Sequence, residues 1–76
     1  NYCRIVTGET EYLLSMPMKS LESELPASLF QRIHRSYIVN IRQVEEVEEA
    51  SVRIGKSKLP MSQSYRKEFL LRIKLV

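Results

Sequence analysis

The sequence of 76 residues has one cysteine, one histidine and no aspartate, so it lacks most of the groups from which enzyme sites are built. Cys3 and His34 form no recognisable metal-ligand set, and a catalytic nucleophile needs both a base and a third group that orients the base. Gly8 and Gly55 are isolated, so there is no glycine-rich phosphate loop. We therefore expect a protein that is not an enzyme, holds no metal and needs no cofactor.

Long apolar segments are also missing. No uninterrupted apolar run approaches the ~20 residues of a membrane helix, and no basic-then-apolar leader is visible. The single cysteine cannot form an internal disulfide, although a secreted domain of this size usually needs several. The sequence thus predicts one small cytoplasmic domain over residues 1–76, too short to enclose a deep substrate pocket.

Charge is unevenly distributed along the chain, whose net charge is +3. Residues 1–49 carry five cations against eight glutamates, whereas residues 50–76 carry seven cations against Glu68 alone. A second basic block, with Arg32, His34, Arg35 and Arg42, lies in the acid-free stretch 25–44. Clustered arginine and lysine are typical of nucleic-acid binders, although a solvated basic face has the same composition.

Hydrophobic periodicity predicts a mainly β protein with short helices, of the α+β class. Alternating or β-branched segments predict strands, and apolar residues three and four apart predict helices. The predicted strands cover residues 2–6, 11–15, 30–34, 37–39, 43–47, 51–55 and 58–61. Residues 41–47 equally suit a helix, because Ile41, Val44 and Val47 are spaced by three. The predicted helices lie between Pro17 and Pro26 and from Ser62 to the end.

Two segments offer side chains suited to DNA. Residues 34–36 interrupt two strands, so their imidazole, guanidinium and hydroxyl groups can project beyond the sheet. Residues 62–64 precede a helix, whose N-terminal N–H groups form a ready phosphate site. Arginine can donate two bonds to guanine, and glutamine can make two with adenine. Purely structural roles stay open, as a capping or core-edge histidine for His34 and as a helix cap for Ser62.

The same segments carry a resemblance to a known family. Residues 30–41, FQRIHRSYIVNI, resemble the F-x-R-[IVC]-H-[RKN]-S-[YF]-[IVL]-V-N signature of the LytTR DNA-binding family. Residues 59–67, LPMSQSYRK, are similar to its closing LP[VM]S-R-x-Y segment, with Gln63 where the family commonly has arginine. Residues 1–2 and 18–26 resemble its core start and its short helix. The resemblance implies paired antiparallel sheets, a short helix after the first hairpin and a C-terminal helix, with the family's first strand missing from this sequence.

The resemblance also implies the partners and the contact residues. The family comprises output domains of bacterial response regulators, so it implies double-stranded DNA, direct repeats, a dimer on DNA and an upstream receiver or sensor domain. No small-molecule substrate is expected. Loops would enter successive major grooves. The expected base contacts are Tyr2, His34, Arg35 and Gln63. The expected backbone contacts are Asn1, Arg4, Ser36, Lys58, Ser62, Ser64, Arg66 and Lys67.

Two other functions remain open from the sequence. A protein-interaction module would use an exposed strand edge for association with a partner or a second copy. An RNA-binding β domain would need aromatic residues exposed on a sheet face. The candidates for such a surface are Tyr2, Tyr12, Phe30 and Tyr37.

Overall fold

The computed structural model describes residues 3–7 and 10–74, and within them the chain forms seven strands and two α-helices. The strands are β1 Cys3–Thr7, β2 Thr10–Leu14, β3 Phe30–His34, β4 Tyr37–Asn40, β5 Glu46–Val47, β6 Ser51–Ile54 and β7 Ser57–Pro60. The helices are α1 Met18–Glu24 and α2 Gln63–Lys74, and a short 3-10 turn covers Ile41–Gln43. The predicted fold class, mainly β with short helices, is confirmed.

Prolines set the limits of α1. Pro17 is extended, with φ −62° and ψ 137°, and its carbonyl accepts the first helical bonds from Ser20 and Leu21. Leu25 is again extended, as expected for a residue that precedes a proline. Met18 and Leu21 turn inward and are buried, so the helix presents one apolar stripe to the sheet.

The strands form two sheets. The larger has the order β2-β1-β4-β3, and the smaller has the order β5-β6-β7. The expectation of purely antiparallel sheets needs a correction, because β1 and β4 pair in parallel. The reason lies in α1, which carries the chain from the end of β2 back across the sheet before β3 begins. The remaining pairs are antiparallel.

Two apolar clusters lie on opposite faces of the four-stranded sheet. One lies between this sheet and α1 and includes Cys3, Ile5 and Ile38. The other lies between this sheet, the smaller sheet and α2, and it includes Ile33, Val39 and Phe69. The central strands β1 and β4 are therefore covered on both faces and form a rigid base for the loops at their ends.

The segment 41–47 differs from the expected strand. Asn40 Oδ1 accepts a hydrogen bond from the N–H of Arg42 at 3.0 Å and caps the 3-10 turn, so only Glu46 and Val47 remain to pair with β6. The predicted hairpin of β6 and β7 is confirmed, with Gly55 at φ 58° in its turn. Pro60 lies in β7, an edge strand, as its missing N–H requires.

Candidate nucleic-acid interface

Three segments that are distant in sequence meet at one end of the four-stranded sheet. We call this end the rim: Arg4, residues 34–37 and residues 62–64. The backbone N–H of Arg4 donates to the carbonyl of Ser36, and that of Ser62 donates to the carbonyl of Ile33, both at 2.8 Å. The parallel pairing of β1 with β4 brings the start of β1 beside the β3–β4 turn. The loops predicted from the sequence to contact DNA therefore share one end of the sheet.

An irregularity in β3 decides where His34 points. Arg32 lies opposite Ile38, whereas His34 lies opposite Tyr37, with a register shift between them. Ile38 belongs to the apolar cluster under α1 and Tyr37 packs against the other cluster, so the shift separates Arg32 and His34 onto opposite faces. His34 Nδ1 accepts a hydrogen bond from the N–H of Ser36 at 3.1 Å. This bond closes the turn around Arg35.

Tyr37 lies between Arg4 and His34 and fixes both side chains. The His34 and Tyr37 rings are 5.5 Å apart in an edge-to-face arrangement, and the Arg4 guanidinium lies 5.6 Å from the Tyr37 ring centroid. Arg4 Nη1 also donates to the Tyr37 hydroxyl at 3.1 Å and lies 3.9 Å from Glu11 Oε1. Arg4 thus keeps a half-exposed cation at the rim, partly balanced by Glu11.

Arg35 occupies the tip of the β3–β4 turn and is exposed. Within residues 3–7 and 10–74, its guanidinium has no hydrogen-bond or ion-pair partner in the chain. Beside it, an open groove of about 540 Å³ separates the turn from the start of α1, and Lys19, Arg32 and Arg35 are among its lining residues. Lys19 and Arg35 therefore place positive charge in the groove next to the predicted base contact, whereas Arg32 is paired with Glu22.

Arg32 holds this turn through hydrogen bonds to its backbone carbonyls. Its Nε donates to the carbonyl of His34 at 3.2 Å and its Nη2 to the carbonyl of Arg35 at 3.1 Å. Its Nη1 lies 3.2 Å from Glu22 Oε1 on α1. The turn is consequently attached to the helix layer by one side chain.

The start of α2 adds polar groups to the rim. The Ser62 carbonyl accepts from the N–H groups of Tyr65 and Arg66 at 3.1 Å, which starts the helix. Among the described contacts, the Ser62 hydroxyl forms no cap. Gln63, Ser64 and Lys67 are exposed, and Gln63 and Lys67 share a helix face because they are four residues apart. The N–H groups of the first helical residues have no partner within the helix.

Lys58 and Arg66 are engaged elsewhere. Lys58 Nζ lies 3.0 Å from Glu48 Oε2, and Arg66 Nη1 donates to the carbonyls of Glu48 and Glu49 at 2.8 Å. Ser51 Oγ also donates to Glu48 at 2.9 Å. Hydrogen bonds from Lys58, and secondly from Ser51, hold the pKa of the Glu48 carboxyl below its ordinary value of 4.5. Lys58 and Arg66, both predicted to contact the DNA backbone, therefore already have partners within the chain.

Asn1 and Tyr2, the remaining predicted contacts, lie outside the described residues. Lys19, Arg32 and Tyr37 contribute to the rim or its groove without having been predicted from the sequence to do so. The signals available were the acid-free stretch that contains Arg32 and the aromatic residue directly after Ser36. Within residues 3–7 and 10–74, no group of three histidine, cysteine or acidic side chains could hold a metal ion. None of the described helices is both long and apolar enough to cross a membrane.

Comparison with known proteins gives a family. The family profile described as "LytTr DNA-binding domain" matches residues 1–74. The chain is 34% identical over 71 residues to the Sensory transduction protein LytT of Enterococcus faecalis, covering 86% of this chain. It is 31% identical over 74 residues to the LytT protein of Bacillus subtilis, covering 88% of this chain. The chain belongs to the LytTr DNA-binding domain family.

The relatives are much longer than this chain. It spans 29% of the Enterococcus faecalis protein and 30% of the Bacillus subtilis protein. The Heme-containing CO-sensing transcriptional regulator RcoM 1 of Paraburkholderia xenovorans is 36% identical over 47 residues, which are 62% of this chain and 18% of that protein. No solved structure matches the chain with comparable significance. Family membership supports DNA binding by the output domain of a transcription regulator.

Proposed function

We propose that this chain binds double-stranded DNA sequence-specifically and that the rim is its contact surface. The observation that carries the proposal is the convergence of Arg4, residues 34–37 and residues 62–64 at one end of a sheet covered on both faces. A rigid base holds polar tips at fixed separations, which base recognition requires. The role is one of binding, not catalysis.

Within this surface, Arg35 supplies the main base contact. It is exposed at the tip of a turn whose backbone is fixed by His34 and Arg32. An arginine can donate two hydrogen bonds to guanine O6 and N7 in the major groove. Gln63, exposed at the start of α2, is suited to adenine N6 and N7. His34 and Tyr2 complete the proposed set of base contacts.

Phosphates would be held by groups around these tips. The proposed phosphate contacts within the rim are Arg4, Ser36, Ser62 and Ser64. Lys67 lies one helical turn beyond Gln63, Asn1 is a further proposed contact, and Lys19 adds a cation beside the groove. We expect Lys58 and Arg66 to contribute less to phosphate binding, because phosphate would have to compete with Glu48 for Lys58 and with backbone carbonyls for Arg66. Counterion release makes the affinity of such a surface fall as salt rises.

We propose that two copies bind direct repeats and that a receiver or sensor domain in the same protein controls them. The Cα atoms of one copy extend over 30 × 23 × 20 Å, so copies on half-sites one turn of B-DNA (~34 Å) apart would fit side by side. The name of the LytT relatives, sensory transduction protein, supports this arrangement. A bacterial DNA partner implies a cytoplasmic location.

The proposal is tested by selection from a randomised duplex pool, followed by titration of the enriched duplex and a scrambled one at two salt concentrations. We expect enrichment of a defined sequence and an affinity that falls steeply with salt for both duplexes. Preference for single-stranded RNA, or no enrichment at all, would contradict the proposal.

Self-association is a second candidate, favoured by strand β2. Tyr12 and Leu13 are 52% and 55% exposed on this strand, which is at the edge of its sheet. An exposed apolar edge can pair with another strand. Analytical ultracentrifugation separates the two functions, because an interaction module would associate with concentration without salt-sensitive duplex binding. RNA binding is less favoured, since Phe30 and Tyr37 pack against the two apolar clusters.

A further inference from the structure

Arg32 is the most enclosed cation of the rim region, with a side chain 15% exposed. It is directed inward, to the backbone of the residues that carry the proposed base contacts. Its Nε reaches the carbonyl of His34 and its Nη2 the carbonyl of Arg35, at 3.2 and 3.1 Å. Since Glu22 lies 3.2 Å from Nη1, the charge of Arg32 is balanced within the chain.

The same guanidinium also touches α2. It lies 5.1 Å from the ring centroid of Tyr65, in a cation–π contact. One side chain therefore joins α1 through Glu22, α2 through Tyr65 and the β3–β4 turn through two carbonyls. The planar fork of arginine provides five N–H donors in fixed directions, whereas lysine offers one point charge on a flexible stem.

We propose that Arg32 is a positioning residue, which sets the direction in which His34 and Arg35 leave the sheet. The inference rests on the proposed DNA binding of the rim. Arg32 holds the carbonyls of the two successive peptide groups that flank the Arg35 Cα, which limits rotation of the turn. The Arg35 guanidinium can therefore meet a base with a smaller entropy cost for ordering the loop. Loss of these Arg32 contacts should reduce discrimination between DNA sequences more than it reduces affinity for DNA in general.

A matched control lies at the other end of the same strand. Arg72 Nη1 donates to the carbonyl of Phe30 at 2.9 Å and to Gln31 Oε1 at 2.8 Å, and Arg72 Nη2 contacts the carbonyl of Ala27. Arg72 thus uses the same chemistry on β3, but far from the rim. Its replacement tests whether loosening the strand anywhere has the same effect.

The experiment compares Arg32→Lys, Arg35→Ala, the double variant and Arg72→Lys. Affinities are measured for the duplex selected by the wild-type chain and for a scrambled duplex, at a temperature where circular dichroism shows each variant folded. We expect Arg32→Lys to lower the selected-to-scrambled affinity ratio about tenfold, the size of one lost base contact. The double variant should lose less than the product of the two single losses, because both changes remove the Arg35 contact, and Arg72→Lys should keep the wild-type ratio.

Glu22→Ala is a milder variant, which removes only the ion pair of Arg32 Nη1 with Glu22. It tests the positioning role if Arg32→Lys does not fold. Removing an acid near DNA raises affinity for every duplex by simple attraction. If Arg32 positions the turn, Glu22→Ala should also lower the ratio of selected-to-scrambled affinity. The inference would be overturned if Arg32→Lys and Glu22→Ala both kept the wild-type ratio of selected-to-scrambled affinity. It would also be overturned if the loss of the double variant equalled the product of the two single losses, or if Arg72→Lys lost as much of this ratio as Arg32→Lys. A wild-type chain that enriches no sequence overturns the proposed function itself.

Discussion

The backbone N–H of Ser62 donates a hydrogen bond to the carbonyl oxygen of Ile33 at 2.8 Å. This bond ties the start of α2 to Ile33 in β3, where the register shifts between Arg32 and His34. Two segments separated by some thirty positions in the chain are thereby held beside each other. The relationship makes a single contact surface of the β3–β4 turn and the start of α2.

Arg35→Ala should weaken binding to the selected duplex by about 1–3 kcal/mol and relax discrimination at one base pair. The reason is the loss of two hydrogen bonds to one base edge, with no structural bond lost within the described residues. Fluorescence anisotropy with single-base variants of the duplex measures this. Arg42→Ala removes an exposed arginine from the 3-10 turn after β4, at the opposite end of that strand, and should leave discrimination unchanged. Equal discrimination by the Arg35 variant and the wild type would contradict the base contact.

Gln63→Arg places a guanidinium where adenine recognition is proposed. We expect the preferred base at one position of the selected sequence to change from adenine to guanine, because glutamine and arginine match different base edges. Repeating the selection with the variant measures the change. Ser57→Arg, on the exposed edge strand β7, controls for the added charge. A selected sequence identical to that of the wild type would remove Gln63 from the base contacts.

Lys67→Gln should weaken binding to every duplex alike and reduce the slope of log affinity against log salt by about 0.9. Lys67 is exposed one helical turn beyond Gln63, so its ammonium suits a phosphate. Titrations over a salt series measure the slope. Arg42→Gln serves as the charge control and should leave the slope unchanged. An effect confined to one sequence would show that Lys67 contacts a base instead.

Glu48→Gln should lower the melting temperature near neutral pH. The pKa of Glu48 is lowered in the folded state, so its ionised form stabilises the fold above the ordinary value of 4.5. That contribution is lost as pH falls through 4.5 towards the folded pKa. Melting curves of variant and wild type should therefore converge in acid. Glu24→Gln, at an exposed position of α1, should show no such convergence, and a constant difference at Glu48 would contradict the Lys58 contact.

Phe69→Ala should cost about 3–5 kcal/mol of stability, because Phe69 is fully buried where α2 meets both sheets. This is a large part of the stability of a small domain. Urea unfolding followed by circular dichroism measures it. Leu71, 57% exposed on the same helix, provides the control: Leu71→Ala should change stability by about 0.5 kcal/mol or less. Equal effects at both positions would mean that α2 does not pack as described.

Local patterns were sufficient for most elements. The alternation Phe30–His34, the break at Arg35 and Ser36, and the row Tyr65, Phe69 and Ile73 predicted β3, β4 and α2 correctly. Residues 41–47 were ambiguous, because a spacing of three suits a helix and the charges suit an edge strand. The cap by Asn40 decided for a 3-10 turn, and pairing with β6 was possible only at Glu46 and Val47.

The candidate site was predicted only in part. The sequence motifs selected residues 34–36 and 62–64, but periodicity would place Arg32 and His34 on the same face of β3. The register shift separates them, since it depends on pairing with β4, which no local pattern specifies. Likewise, the sequence identified Lys58 and Arg66 as cations but not their partners. Glu48 and Glu49 lie in the connection between β5 and β6, which meets these cations only in the folded structure.

The sequence by itself determined the succession of strands and helices, the basic segments and the family, because these depend on residue type and short-range spacing. Tertiary structure alone decided that β1 pairs in parallel with β4, that Ser62 lies beside Ile33, and that Arg32 reaches beneath the turn. Each of these is a contact between segments distant in the chain, and its energy arises only when both are folded against the same sheet.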